Sequence, residues 1–297
     1  MPTTAGLLIE PSLLKKIEGL QIVSRRLYQG GQSGSRKSRT RGGGMEFAEH
    51  REYTPGDDFR AIDWNVFARH DDFIIKTFET EQNLHVSILV DTSASMGFGE
   101  PGKLQFAASL AAAIAYIALV NEDSISISAM ADRVTDEISS TDRNLSPGQV
   151  FDFCGKLEAD GETHLDDTLR AFAFHRRQPG LLFIISDFLV EGRLQDMLQP
   201  LVYMGYDICG IHLLAQDELN PRFSGEMDIV DSETDEIIPL TARGDTAQQY
   251  QESLRRFLNQ TEAAIKMCHG NYVRISPDQS LERVLLGELR SLGIITE

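Results

Sequence analysis

From Leu84 to Ile275, short apolar runs take turns with segments of helical spacing. Leu84 to Val90 and Leu181 to Ile185 are largely apolar and rich in β-branched residues, the pattern of strands buried on both faces. Lys103 to Val120 reads as a helix. Ser124 to Met130 alternates isoleucine with serine at strand period, and Val134 to Ile138 suits a short edge strand. Ser146-Pro147 opens a helix reaching about Leu157, with proline at its favoured first position. Thr163 stands where a cap belongs, before a helix from His164 to His175. Beyond Gly180 come a helix from Arg193 to Tyr203, a strand from Asp207 to Leu214, and a hairpin from Glu226 to Leu240 turning at Ser232 to Asp235. Asp245 caps a long helix reaching about Met267, Tyr272 to Ile275 is a strand, and Ser280 to Leu292 is the closing helix. Strands alternating with helices predict an α/β fold, a mostly parallel sheet with helices on both faces.

Upstream the pattern changes. Ser12 to Leu27 has a capping serine and then Leu13, Ile17, Leu20 and Val23 or Ser24 at helical spacing. Gln29 to Gly44 is rich in Gly, Ser and Arg without an apolar period and reads as a linker. Between Met45 and Asn83, Glu46 to Tyr53 and Phe73 to Phe78 read as strands about a Pro55-Gly56 turn. The expected organisation is a basic helix and linker (1–44), a β-rich segment packed on the main domain (45–83), and the α/β domain (84–297).

Composition narrows the setting. Hydrophobic residues at 41% and charged residues at 25% suit a soluble globular protein. Met1 to Leu8 lacks the basic start and apolar length of a signal peptide. The apolar run from Phe106 to Val120 is about a turn short of a bilayer span, so a buried helix is expected. Cys154, Cys209 and Cys268 are odd in number, far apart and without zinc-finger spacing, which fits a reducing, cytoplasmic setting. The net charge is −17, yet residues 1–44 hold eight basic and two acidic residues, leaving that arm at +6 and the remainder at −23. So acidic a body repels nucleic acid and anionic membrane. The arm's arginines also lack interleaved aromatics apart from Tyr28.

Candidate chemistry lies where strands end, because parallel sheets collect ligands beyond the carboxyl ends of their strands. The first strand runs into Asp91-Thr92-Ser93-Ala94-Ser95, whose alternate positions send Asp91, Ser93 and Ser95 to one side. Leu181 to Ile185 leads through Ser186 to Asp187, and Thr163 arrives on an adjoining loop. Taken singly, these residues read as turn chemistry or helix caps. Together, two carboxylates and three hydroxyls form an all-oxygen set suited to a hard cation such as Mg²⁺, with room for an outside carboxylate.

Those five residues match the metal-ion-dependent adhesion site of the von Willebrand factor A family, Asp-x-Ser-x-Ser, then Thr, then Asp, and the chain resembles that family over about residues 84–275. The resemblance implies a Rossmann-like sheet, Mg²⁺ or Mn²⁺, and a protein partner donating an acidic side chain to the metal. A second stretch, Arg51, Tyr53, Pro55-Gly56-Asp57-Asp58, Arg60, Ile62-Asp63-Trp64 and Ala68-Arg69, resembles the signature of a bacterial branch known as domain of unknown function fifty-eight. Members commonly accompany MoxR-type AAA+ ATPases, which implies an adaptor or co-chaperone role. Many carry N-terminal membrane helices, which this sequence is not expected to have. The charges of the signature suggest a salt-bridge network with Trp64 as a buried anchor, weighed against a partner-contact surface.

Catalysis is not expected. A phosphatase built on Asp91 as nucleophile, the alternative reading, would want a second aspartate where Ser93 stands, and no Gly-x-Ser-x-Gly elbow occurs. His164 alone does not make a base. Gly97 to Lys103 approaches a phosphate-binding loop, but Leu104 stands where Ser or Thr is needed, so a flexible loop beside the metal is expected there.

Overall fold

The structure, a computed structural model, describes residues 8–24, 46–54, 62–70, 73–79, 84–131, 134–140, 145–161, 165–175, 179–190, 192–234, 236–242 and 244–297. Its contacts divide the chain into two units, one of residues 33–83 and one of residues 1–32 together with 84–297.

The larger unit is an α/β fold around a six-stranded sheet. In spatial order the strands are Asn271–Ile275, Asp207–Leu213, Leu181–Ser186, His85–Asp91, Ser124–Met130 and Val134–Ser139. The first five are parallel; the last is an antiparallel edge. The period of two sorts side chains onto the two faces. Val86, Ile88 and Val90 join the core cluster containing the Lys103–Val120 helix. Leu89, between them, joins the cluster of the Leu165–His175, Leu194–Tyr203 and Thr246–Met267 helices. Both faces are covered, which is why these strands are apolar throughout.

The Lys103–Val120 helix is alanine-rich, which lets it lie close to the His85–Asp91 and Ser124–Met130 strands while the Pro147–Cys154 helix covers its outer side. Among the described residues it is the one helix long and apolar enough to cross a membrane, and 78% of it is buried within the fold. Ser146 caps the Pro147–Cys154 helix by accepting from the Gln149 amide, while the Gln149 side chain accepts from the Ser146 amide. Cys154, Cys209 and Cys268 are free and buried.

The N-terminal segment differs from expectation. Its helix is Pro11–Ile17, not Ser12 to Leu27, and Gln21–Ile22 pairs antiparallel with Ile295–Thr296. Leu20, which fits the helical period, and Ile22, which stands outside it, are both buried in the main core with Ile17. A distant strand partner wins over local propensity. Glu10, not Ser12, holds the cap position, and the Ser12 hydroxyl donates to the Glu10 carboxylate at 3.2 Å.

In the smaller unit, Glu46–Glu52 and Ile74–Glu79 form an antiparallel pair with an irregularity between Phe47 and Glu49. A helix not foreseen, Trp64–His70, stands between them in sequence. Buried Asp63 starts it, its carboxylate and carbonyl both accepting from the Val66 amide. Trp64 is no buried anchor: it is 57% exposed and meets Phe67 edge-on, while Phe67 stacks on Phe73 at 4.5 Å. Of the expected charge network, Asp57, Asp58 and Arg60 lie outside the described residues, and Arg69 is exposed.

Candidate metal centre

The strand order places the site. From His85–Asp91 the chain crosses to Ser124–Met130 on one side, whereas Leu181–Ser186 lies on the other side. The crevice between the first and third of these strands is therefore a topological switch point, where such sheets bind ligands. Asp91 ends one of its strands, and Asp187 follows directly on the other.

Both carboxylates are fully buried, as is Ser93; Ser95 is nearly so. Asp91 Oδ1 accepts from the Ser93 amide at 3.0 Å, and Asp91 Oδ2 accepts from Ser186 Oγ at 2.5 Å. Ser93 Oγ lies 3.0 Å from Ser95 Oγ, and Ser95 Oγ donates to Asp187 Oδ2 at 2.8 Å. Asp187 Oδ1 accepts from the Leu189 amide at 3.2 Å. Four of the five predicted side chains thus share one hydrogen-bonded cluster. The fifth, Thr163, lies outside the described residues. The chain approaching it is pinned to the first loop: the Ala94 amide donates to the Gly161 carbonyl at 2.9 Å, and the Asp160 amide to the Thr92 carbonyl at 2.9 Å.

Lys103 was expected only to open its helix beyond a flexible glycine loop. Instead it is fully buried, with Nζ 2.7 Å from Asp187 Oδ2 and 2.6 Å from Glu218 Oε1. Burial alone would lower its pKa, but Asp187 and Glu218 outweigh that and hold it above the ordinary lysine value. Glu218 Oε2 accepts in turn from the Ala215 amide at 2.6 Å. Local signals for Lys103 existed: it is the single charge on its helix, placed at a helix N-terminus, where the backbone dipole disfavours a cation. Ser186 and Glu218 carried no comparable signal.

Asp91 has no such counter-charge. Burial first, then the charge of Asp187, push it up to about 6, against hydrogen bonds from Ser186 and Ser93 that lower it. When Asp91, Asp187 and Glu218 are ionised, three carboxylates and one ammonium leave two negative charges, which one divalent ion would balance.

Hydrogen counting identifies the oxygens that remain free to hold it. Each serine has one hydroxyl hydrogen. With Ser95 donating to Asp187, the Ser93–Ser95 contact requires Ser93 as donor. Lone pairs then stay uncommitted on Ser93 Oγ, on Ser95 Oγ and on both oxygens of Asp91. Hard oxygens from two hydroxyls and a carboxylate fit Mg²⁺ or Mn²⁺. Among the described residues, no group of three or more His, Cys, Asp and Glu side chains gathers to hold a metal, so any such site depends on the hydroxyls.

The backbone beside the centre is strained. Phe188, next to Asp187, has φ 52°, a left-handed conformation costly for an aromatic residue. Its amide donates to Ser186 Oγ at 2.8 Å, and its ring meets His212 edge-on. Buried His212 has Nδ1 2.9 Å from the Tyr272 hydroxyl, and burial lowers its pKa from 6.5 to about 4. The folded protein therefore binds fewer protons than the unfolded chain between these values. The stability from His212 is complete above pH 6.5 and is lost as pH falls towards 4. Urea midpoints at neutral pH and near pH 5 should show the wild type losing about 2 kcal/mol more than a His212→Phe variant.

Fold and centre together define a class, an α/β protein with buried acids and hydroxyls at the switch point of a mostly parallel sheet. The chain belongs to the family described as Protein of unknown function DUF58, whose profile matches residues 49–259. An uncharacterized protein of Mycobacterium tuberculosis, Rv1480, is 32% identical over 110 residues, 36% of this chain and 35% of that protein. The chain thus matches about a third of the length of its curated relatives. Among solved structures, the conserved hypothetical protein BatB of Bacteroides thetaiotaomicron is similar at 15% identity and TM-score 0.42, over 71% of this chain and 99% of that one. A von Willebrand factor type A structure from Catenulispora acidiphila is similar at 14% identity and TM-score 0.31, over 48% and 35%.

Proposed function

We propose that this chain is a von Willebrand factor A-like, metal-ion-dependent protein-binding module that captures a partner through an acidic side chain. Asp91, Ser93 and Ser95 hold Mg²⁺ or Mn²⁺, Thr163 completes the set, and Asp187 acts through the Ser95 hydroxyl. When bound, the ion supplies an electrophile for an incoming carboxylate. The single observation that carries this reading is the Ser93–Ser95–Asp187 hydrogen-bond chain, which leaves oxygen lone pairs beside an Asp91 lacking a counter-charge. The protein residues bind and orient, and the module is read as a binder, not a catalyst. By the resemblance noted above, its role is that of a cytoplasmic adaptor or co-chaperone for a MoxR-type AAA+ ATPase.

Calorimetry with Mg²⁺ and Mn²⁺, paired with affinity capture with and without EDTA, tests this reading. Asp91→Asn keeps the side-chain shape, and is expected to weaken cation binding about 100-fold or more and to lose the EDTA-sensitive partner. Recovery of an AAA+ ATPase only with metal present supports the adaptor role. Unchanged cation affinity in Asp91→Asn rejects the site. Phosphoester turnover by the wild type that vanishes in the variant would replace a binding module with a hydrolase built on Asp91.

A further inference from the structure

We infer that Lys103 is a built-in cation that keeps Asp187 out of direct metal coordination and so sets how tightly the centre takes a divalent ion. The inference rests on the metal-centre reading above and adds a residue that the adhesion-site motif does not contain.

Three observations carry it. First, Lys103 is held in place independently of Asp187. Glu218 grips it at 2.6 Å, and Glu218 is fixed by the Ala215 amide, while its carbonyl accepts from the Tyr250 hydroxyl at 2.6 Å. The ammonium is thus tied to the short Gln216–Leu219 helix, and through it to the long Thr246–Met267 helix. Second, Asp187 Oδ2 accepts from both Ser95 Oγ and Lys103 Nζ, which fills its two lone pairs, and Oδ1 accepts from Leu189 N. Asp91 is less committed: Oδ1 accepts from the Ser93 amide and Oδ2 from Ser186 Oγ, and Lys103 makes no bond to either. Asp187 keeps a lone pair only on Oδ1, the oxygen turned to the Leu189 amide, so Asp91, with both oxygens open, is the carboxylate placed to meet the ion directly. Third, the ammonium lowers the charge that attracts a cation. Without it, the same three carboxylates would present three negative charges, and affinity for hard cations rises with the charge of the ligand set.

Lys103 thereby restrains affinity. An ion held by one carboxylate and neutral hydroxyls stays electron-poor, which strengthens its pull on a partner's acidic side chain. A purely structural ion pair makes the opposite prediction: loosening it would disorder Asp187 and Ser95 and weaken the ion.

The test is calorimetric titration of the full chain with Mg²⁺, in the wild type, Lys103→Met, Lys103→Met/Asp187→Asn and Asp91→Asn. Lys103→Met frees an oxygen of Asp187 and is expected to bind Mg²⁺ about tenfold tighter or more. The double variant removes one charge of each sign, so the Asp187 position no longer holds a carboxylate without its ammonium. With the Asp187 carboxylate neutralised as well, it is expected to fold, and to bind within about threefold of wild type because the centre keeps its net charge. Should Lys103→Met fail to fold, the double variant decides. A loss of about tenfold or more in the double variant would make Asp187 a direct ligand and overturn the inference. Equal or weaker binding by a folded Lys103→Met would overturn it as well. If Asp91→Asn abolishes binding in that same series, the metal centre stands and only the role of Lys103 falls. If the wild type takes up no Mg²⁺ at millimolar concentration, or Asp91→Asn binds as well as wild type, both readings fall together.

Discussion

Lys103→Met is expected to cost the metal-free protein about 3–5 kcal/mol of unfolding free energy, read from urea titrations in EDTA at neutral pH. The reason is asymmetric. Lys103 and Asp187 are both fully buried, so removing the ammonium leaves a carboxylate without solvent or counter-charge. Two hydrogen bonds, from Ser95 and from the Leu189 amide, cannot replace it. Removing both members by Lys103→Met/Asp187→Asn should restore more than half of the loss, since a neutral pair of similar volume carries little desolvation penalty. Added Mg²⁺ should raise the stability of the single variant more than that of the wild type. A single variant within about 1 kcal/mol of wild type would mean that water reaches the pair.

Gly180→Ala should be the most damaging small substitution away from the centre. A Cβ at Gly180 would stand 2.0 Å from the His85 carbonyl oxygen and 2.9 Å from its carbon, both backbone atoms of the neighbouring strand. The Gly180 carbonyl is also engaged, accepting from the Asp207 amide at 2.8 Å. Nothing there can swing aside, so the strands must separate at their amino-terminal ends, at a cost of about 3 kcal/mol or more. The damage begins at the far end of these strands from Asp91 and Asp187. Thermal unfolding should drop sharply, while the folded fraction keeps its cation affinity. A variant with a wild-type melting temperature would show that the strands are not held this closely.

The strands and helices of the main unit were legible because their patterns are long and local. Lys103 to Val120 and Ser124 to Met130 emerge with the boundaries that their spacing predicts. The Asp91, Ser93, Ser95 and Asp187 cluster was legible because strand ends in a parallel sheet converge. What escaped depended on distance along the chain. The partners of Lys103 are 84 and 115 residues away, and no window around Gly97 to Lys103 contains them. Leu20 fits a helical period although the helix has already ended, and Ile22 reveals its strand only beside Ile295. Trp64 looked like an anchor because tryptophan usually is buried, yet burial is decided by the neighbours that a fold supplies.

The pairing of Gln21–Ile22 with Ile295–Thr296 has a consequence for biosynthesis. The Gln21–Ile22 strand leaves the ribosome with nowhere to dock, because the backbone it must bond lies far downstream of it in the sequence. Until that backbone is made, Ile17, Leu20 and Ile22 stay wet, and the seam they seal against Leu289 and Ile295 stays open. Closure of this seam waits until Ile295 has been made, and a nascent chain stalled before it would offer chaperones and proteases a greasy flank that the folded unit hides.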